Sequence, residues 1–351
     1  MNPVYDARID HPAAWTSLEI GGKEGLMHRM GPEHADALAE LVDRTRRLAP
    51  DAVTREDFDH PAINDLMRGV FQSVMNGRGA IILSGLDMNR TSLEDYSRIY
   101  WGLGTHLGEA AIQSAKLDKI GYVQKEEHNP DGRGYQLDIE LRSHTDFHEL
   151  LSLASFRKAA SGGESGTVSS LAIHNVMLEE APQHLAVLYR GFQHGYARKD
   201  YLTPEPVPIF CNVDGQVSCF YHGLFMLNAA KQLGTELPQD LRQAMACFSE
   251  IAQRPEVRAD FMLEPGEMLF WHNFLVLHSR QAFTNAGEQK RLLLRLWLHV
   301  REGQGRPMHA EFAGRARLMD KIHAAGDVAL NYSSLGLSTS VEKSLATVTG
   351  V

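Results

Sequence analysis

Between Glu33 and Arg47 the apolar residues Ala37, Leu38, Leu41 and Val42 recur on one helical face, which predicts an amphipathic helix. A second helix is predicted from Asn64 to Met75. A third runs from Ser92 to Trp101, with Ser92 as its cap and Glu94 and Asp95 in the first turn. The short apolar run between Gly79 and Gly85 reads as a buried strand. From Gly121 onward short β-like runs dominate: Ile120 to Gln124, Tyr135 to His144, Thr167 to Ile173, Gln216 to Tyr221, Met268 to Trp271 and Arg291 to Val300. Helical stretches are expected between them, at Asn175 to Tyr189 and Leu237 to Gln253. The Pro-rich segment Thr203 to Pro208 reads as a loop. This order predicts helices packed outside an antiparallel β core, rather than regular βαβ alternation.

Composition narrows the function classes. The chain has 351 residues, 43% of them hydrophobic, which is enough for a large core. The formal net charge is -9 and no Lys/Arg block occurs, so no electrostatic footprint for nucleic acid is expected. Cys211, Cys219 and Cys247 form no C-x-x-C pair and are too few for a disulfide scaffold, so they read as reduced thiols of a cytoplasmic protein. Met1 to Thr16 is polar and acidic, without the apolar stretch of a signal peptide. No apolar run reaches membrane-spanning length. The pattern does not report an oligomeric state.

Two familiar motifs fail on inspection. Gly102-Leu-Gly-Thr-His-Leu-Gly108 has its third glycine one place too late for a dinucleotide fingerprint and follows a helix. Gly163-Glu-Ser-Gly-Thr167 ends in threonine where a nucleophile elbow needs glycine. There is no Walker A loop and no H-E-x-x-H.

The informative pair is His144 and Asp146, two residues apart, whose side chains point to one face of an extended strand. One nitrogen and one oxygen ligand make half of a facial metal site. Of the seventeen histidines, His128, His184 and His194 read as surface residues, and His148, His174, His222 and His272 as core or cleft residues. His278 differs by its context. It follows a turn and an apolar strand, and thirteen residues later comes Arg291-Leu-Leu-Leu-Arg295-Leu-Trp-Leu298. There Leu292, Leu294, Leu296 and Leu298 share one strand face, and Arg291, Leu293, Arg295 and Trp297 the other. Two arginines on an apolar strand are costly to bury unless each meets an anion. Salt bridges to protein carboxylates, such as Glu140 for Arg295, would also answer that need. Two His and one carboxylate hold Fe(II) on one face and leave three positions open. A 2-oxo acid can chelate through two of them, leaving one for O2. Arg291 can pair bidentately with the distal carboxylate of 2-oxoglutarate. A hydroxyl near Gly162-Gly163-Glu164 can assist, and both Ser165 and Thr167 face the same side.

The ordered set of His144-Thr-Asp146, Gly162-Gly-Glu-Ser165, and His278 followed by Arg291 and Arg295 resembles the TauD/TfdA (taurine dioxygenase-like, clavaminate synthase-like) family. Val168 to Asn175 and Arg280-Gln-Ala-Phe283 are similar too, and the resemblance covers roughly Gly79 to Val300. It implies a mostly β fold with flanking helices, a distorted double-stranded β-helix (jelly roll) with helical insertions. It implies one Fe(II)/2-oxoglutarate dioxygenase domain over 1–351, with a helical N-terminal part (1–78), a catalytic core (79–300) and a C-terminal extension (301–351). The implied iron ligands are His144, Asp146 and His278. Arg291 is implied to bind 2-oxoglutarate, helped by Ser165 or, with a shifted alignment, Thr167. Arg295 is implied to hold the substrate's anionic group. The cofactors implied are Fe(II), 2-oxoglutarate and O2, and the partner is a small-molecule substrate: an amino acid, carboxylate, sulfonate or natural-product intermediate.

Hydroxylation is the outcome expected, with desaturation, cyclisation and epoxidation open to the same site. Halogenation needs a coordination position vacated by a small residue, and Asp146 fills it. A zinc hydrolase with the same three ligands would leave Arg291 and Arg295 without a purpose. A non-catalytic β-barrel binding protein would not need the intact ligand set.

Overall fold

The computed structural model describes residues 2–113, 117–125, 137–196, 201–287 and 290–325. Helices α1 (Pro32–Thr45), α2 (Pro61–Met75) and α3 (Leu93–Thr105) form where the apolar period placed them. The Ser92 hydroxyl caps α3 by accepting from the Asp95 backbone N–H at 3.1 Å, meeting one of the orphan donors of the first turn. Arg98, on the buried side of α3, donates to the carbonyls of Thr45 and Leu48 and to Glu94, which ties α3 to the end of α1.

The strands are β1 (Met27–Arg29), β2 (Ala80–Ser84), β3 (Glu109–Ala110), β4 (Gly121–Val123), β5 (Leu141–His144), β6 (Leu150–Arg157), β7 (Ser165–Ser169), β8 (Ala259–Phe261), β9 (Met268–His272), β10 (Val276–Arg280) and β11 (Leu292–His299). Among the described residues the larger sheet runs β1-β2-β9-β6-β11-β3, with β4 also paired to β11. A smaller sheet runs β8-β7-β10-β5. Pairing is antiparallel except between β1 and β2.

The two-residue period of β11 decides what each face meets. Leu294, Leu296 and Leu298 pack in one apolar cluster with residues of α1, α2 and α3. Leu293 and Trp297 belong to a second cluster, shared with Val168 of β7 and Val276 and Leu277 of β10. The leucine face thus lies under the helices, and the arginine face looks between the sheets. Two facing sheets with helices inserted between strands form the distorted double-stranded β-helix that the resemblance implied.

Several expectations need correction. The run predicted as a strand from Thr167 to Ile173 leaves the sheet at Ser169, where the Ser169 hydroxyl accepts from Ala172 N at 3.0 Å and starts helix α4 (Ser170–Glu180). The helix expected from Asn175 to Tyr189 is interrupted by a tight turn at Pro182–His184, because proline cannot donate to the preceding turn. Strand β6 was not anticipated. Both its faces are buried, so its Leu/Ser/Ala sequence shows no alternation to distinguish strand from helix. Helices α5 (Gly223–Gln232) and α7 (Ala310–Ala325) were also missed, whereas α6 (Gln239–Ile251) falls within its predicted span. His194, read as a surface residue, is 2% exposed and packs on Phe220 and Phe225. His128 and Tyr135 lie outside the described residues.

Candidate metal and cosubstrate site

His144 ends β5 and His278 lies on β10, paired directly across from it. Asp146 follows two residues past the end of β5. The Nε2 of His144 is 3.9 Å from Asp146 Oδ1, and the Nε2 of His278 is 3.9 Å from Asp146 Oδ2. Two bonds of about 2.1 Å to a common ion span at most about 4.2 Å, so these spacings leave room for an ion among the three. The ligand atoms of all three residues lie within 4.8 Å of one another.

The surroundings fix this arrangement. Asn273, fully buried, accepts from the Asp146 backbone N–H at 3.0 Å and donates to the carbonyls of Asp146 and His148 at 2.8 and 2.9 Å. From the larger sheet, Trp297 Nε1 donates to Asp146 Oδ2 at 3.0 Å. His144 Nδ1 lies 2.7 Å from the Arg142 carbonyl, which sets its tautomer and leaves Nε2 to face the cluster. Burial pushes the Asp146 carboxyl up, but His278, His144 and Arg295 together pull it well below the usual carboxylate range. Burial and then the neighbouring His144 lower His278 to about 3. An ionised carboxylate and a neutral imidazole are the forms in which these groups bind a divalent metal.

The segment leading into β11 carries a buried cation. Arg291, one residue ahead of β11, is 3% exposed, and its Nη1 is buried without a hydrogen-bond partner. Among the described residues its guanidinium has no carboxylate partner and lies over the Phe283 ring, 5.1 Å from the centroid. Burial, then the nearby Arg280, lowers it to about 9. Arginine does not deprotonate at neutral pH; the shift expresses the cost of holding this charge out of water unpaired, a cost an entering carboxylate would relieve. Gly163 makes room for it: φ is +84° there, and an added Cβ would sit 3.1 Å from Arg291 Nε.

Ser165 and Thr167 are now distinguishable. Thr167 lies directly opposite His278 in the β7–β10 pairing, and its hydroxyl is buried without a partner. Ser165 lies opposite Arg280, farther along the strand.

Arg295 projects from β11 with its guanidinium 4.0 Å from the Trp297 ring centroid. Its Nε donates to Gln113 Oε1 at 2.8 Å, while Gln113 Nε2 donates to the Arg295 and Lys119 carbonyls. Gly121, opposite Arg295 in the β4–β11 pairing, is glycine because a Cβ would fall 2.3 Å from Gln113 Oε1. Glu140, the carboxylate the sequence offered to Arg295, is exposed. Gln113, Asn273 and the indole role of Trp297 were not anticipated. Only Trp297 gave a signal, by falling on the arginine face of β11.

Known proteins resemble the chain in sequence and in fold. FR-33289 synthase of Streptomyces rubellomurinus is 28% identical over 291 residues, covering 77% of this chain and 84% of that protein. A taurine hydroxylase-like protein, SAT17, of Stachybotrys chartarum is 25% identical over 313 residues, covering 82% and 79%. Among solved structures, asparagine oxygenase in complex with Fe(II), 3-hydroxyasparagine and succinate superposes with a TM-score of 0.63 at 14% identity, over 80% of this chain and 98% of that one. The non-haem iron oxygenase OrfP in complex with Fe and alpha-ketoglutaric acid gives 0.59 at 16%, over 82% and 98%. The family described as taurine catabolism dioxygenase TauD, TfdA family matches residues 44–297, a span that runs from α1 through the arginine face of β11. That match covers the smaller sheet, most of the larger one and the strands that carry His144, His278 and Arg295, and by it the chain belongs to the TauD/TfdA family of Fe(II)- and 2-oxoglutarate-dependent dioxygenases.

Proposed function

We propose that this dioxygenase hydroxylates an unactivated C–H bond of a small, polar, anionic molecule, with release of succinate and CO2. His144, Asp146 and His278 hold Fe(II) in this reading, and Fe(II), when bound, supplies the O2-dependent oxidation. The protein's own residues do the rest. Arg291 and the Thr167 hydroxyl anchor 2-oxoglutarate. Trp297 and Asn273 hold Asp146 in place. Arg295 presents a positive charge to the substrate. The observation that carries the reading is a buried Arg291 nitrogen and a buried Thr167 hydroxyl, both without partners among the described residues, with Thr167 directly opposite His278 of an open 2-His-1-carboxylate cluster. Each lacks what 2-oxoglutarate brings.

Substrate charge rests on Arg295. Arg291 and Arg295 are four residues apart on an extended segment, roughly 13 Å between Cα atoms at about 3.3 Å per residue. One small dianion bound at Arg291 does not reach both. The neighbours' names favour an amino acid as substrate class: asparagine oxygenase is described with 3-hydroxyasparagine, and OrfP with hydroxylated arginine. A second reading has support as well, since Arg295 helps hold the Asp146 carboxyl low and could serve the metal ligand alone. The three unpaired cysteines fit a reducing, cytoplasmic setting.

The test is a screen of amino acids, carboxylates, sulfonates and phosphonates for O2-dependent succinate release with a product 16 mass units heavier, the mass of one oxygen atom. On the substrate found, Arg295→Met should raise KM about tenfold or more while 2-oxoglutarate affinity stays within about twofold, a charge-assisted hydrogen bond being worth roughly 1.5–3 kcal/mol. An unchanged KM would assign Arg295 to Asp146 and remove the support for an anionic substrate.

A further inference from the structure

A second cluster of the same residue types lies behind the first. His148, His299 and Asp320 bring their side-chain donor atoms within 4.8 Å of one another. His148 follows the Asp146 loop, His299 ends β11, and Asp320 comes from the C-terminal helix α7, outside the span of the family match. The spacing differs from that of the first cluster. His148 Nε2 is 2.8 Å from Asp320 Oδ1, and His299 Nε2 is in direct hydrogen-bond contact with Asp320 Oδ2. Each carboxylate oxygen accepts one imidazole N–H. The gap that separates donors in the first cluster is closed here by hydrogen bonds.

These bonds lead back to the proposed iron site. The His148 ring stacks on the Trp297 indole, 5.1 Å between centroids with the planes 12° apart. The Trp297 N–H donates to Asp146 Oδ2 at 3.0 Å. The opposite end of α7 is fixed independently: Phe312 packs on Phe220 and Phe274 at 5.3 and 5.6 Å. Asp320 is therefore held where both imidazoles can donate to it.

We propose that Asp320 is a positioning residue: through His148 and Trp297 it aims the Asp146 carboxylate, so the C-terminal helix completes the metal site without touching it. The proposal rests on Asp146 being an iron ligand. The chain of contacts is continuous. Asp320 fixes the His148 ring, that ring fixes the indole plane, and the indole N–H takes one Asp146 oxygen. Trp297 is the partner one step removed from the metal; loss of such a partner typically alters affinity 10- to 100-fold, and Asp320 reaches it through His148.

Co(II) tests this with a readout independent of turnover, by affinity and by its ligand-field absorption. Wild type should bind one Co(II) per chain, and His144→Ala should abolish binding. Asp320→Asn, which keeps the size but loses the symmetric acceptor, should weaken Co(II) about tenfold and alter the absorption, with the metal-free melting temperature nearly unchanged. Trp297→Phe breaks the same chain at its other end and should give a similar loss; it keeps the proposal testable if Asp320→Asn does not fold. The double variant should lose no more than the worse single one, because both act through one path. Arg317→Ala, on the same helix but paired with Glu109, should match wild type. Asp320→Asn binding Co(II) with wild-type affinity and absorption would overturn the proposal, as would additive losses in the double variant. Two Co(II) per chain, with one lost in Asp320→Asn, would make the second cluster a metal site and overturn it too. If wild type binds no Co(II), or His144→Ala binds it as tightly as wild type, the three-ligand reading falls and takes this one with it.

Discussion

At the scale of single residues, function concentrates where a polar group is buried and left unsatisfied. Thr167 and Ser165 show how this separates candidates that the sequence could not. Both are two apart on β7, but only Thr167 faces His278, and its hydroxyl is buried without a partner. Thr167→Val should therefore weaken 2-oxoglutarate about three- to tenfold, the worth of about one neutral hydrogen bond. Ser165→Ala should leave it within twofold. Isothermal titration of 2-oxoglutarate into the Mn(II)-loaded protein measures both. Equal effects, or an effect only at Ser165, would return the hydroxyl role to Ser165. The residue types of the proposed ligand set were legible because H-x-D on an extended segment converges by geometry alone. Gln113 and Asn273 were not, since a lone buried amide carries no period and no motif.

At the scale of elements, β11 shows how one strand serves two masters. Its leucine face is fixed by α1, α2 and α3, and its other face carries Arg295, Trp297 and His299 toward the site. That division could be read from period two alone. Strand β6 could not be read, because a central strand buried on both faces has no polar side to mark its period. The loop after β5 has a different dependence. Its shape rests on Asn273, which makes three hydrogen bonds to the Asp146–His148 backbone. Asn273→Ala leaves those buried backbone groups unmet, and each costs about 1–3 kcal/mol. We expect a loss of about 2–5 kcal/mol in denaturant unfolding, together with weaker metal binding. A stability change below about 1 kcal/mol would mean the loop is held in another way.

At the scale of the molecule, the helices α1, α2 and α3, part of the larger sheet and the residue types of the proposed site followed from patterns over residues 33–300, while β6, α5 and the C-terminal helix did not. Its residues carry no strong apolar period; Phe312 and the Asp320 carboxylate, two of its anchors, are defined by the surface they meet. Burial elsewhere sets a pH dependence. His174 is fully buried, and that burial lowers it to about 4. Its folded value lies below its unfolded one of about 6.5, so the neutral form is favoured in the folded state. The stability it contributes is full above about pH 6.5 and is lost as pH falls toward 4. The difference amounts to at most about 3.5 kcal/mol, at about 1.4 kcal/mol per unit. His174→Gln should flatten the stability profile between pH 6.5 and 4. An identical slope in the variant would show that other groups carry the acid sensitivity.

In our proposal His144, Asp146 and His278 hold Fe(II), and Arg291 receives 2-oxoglutarate. Its most direct test is an anaerobic titration of the Fe(II)-loaded protein with 2-oxoglutarate, following the metal-to-ligand charge-transfer absorption. Wild type should develop the band and saturate at one equivalent. His278→Ala should show none, and Arg291→Gln should need at least about tenfold more 2-oxoglutarate while binding Fe(II) as wild type does. A wild-type protein without the band, or the same saturation in all three proteins, would contradict the account.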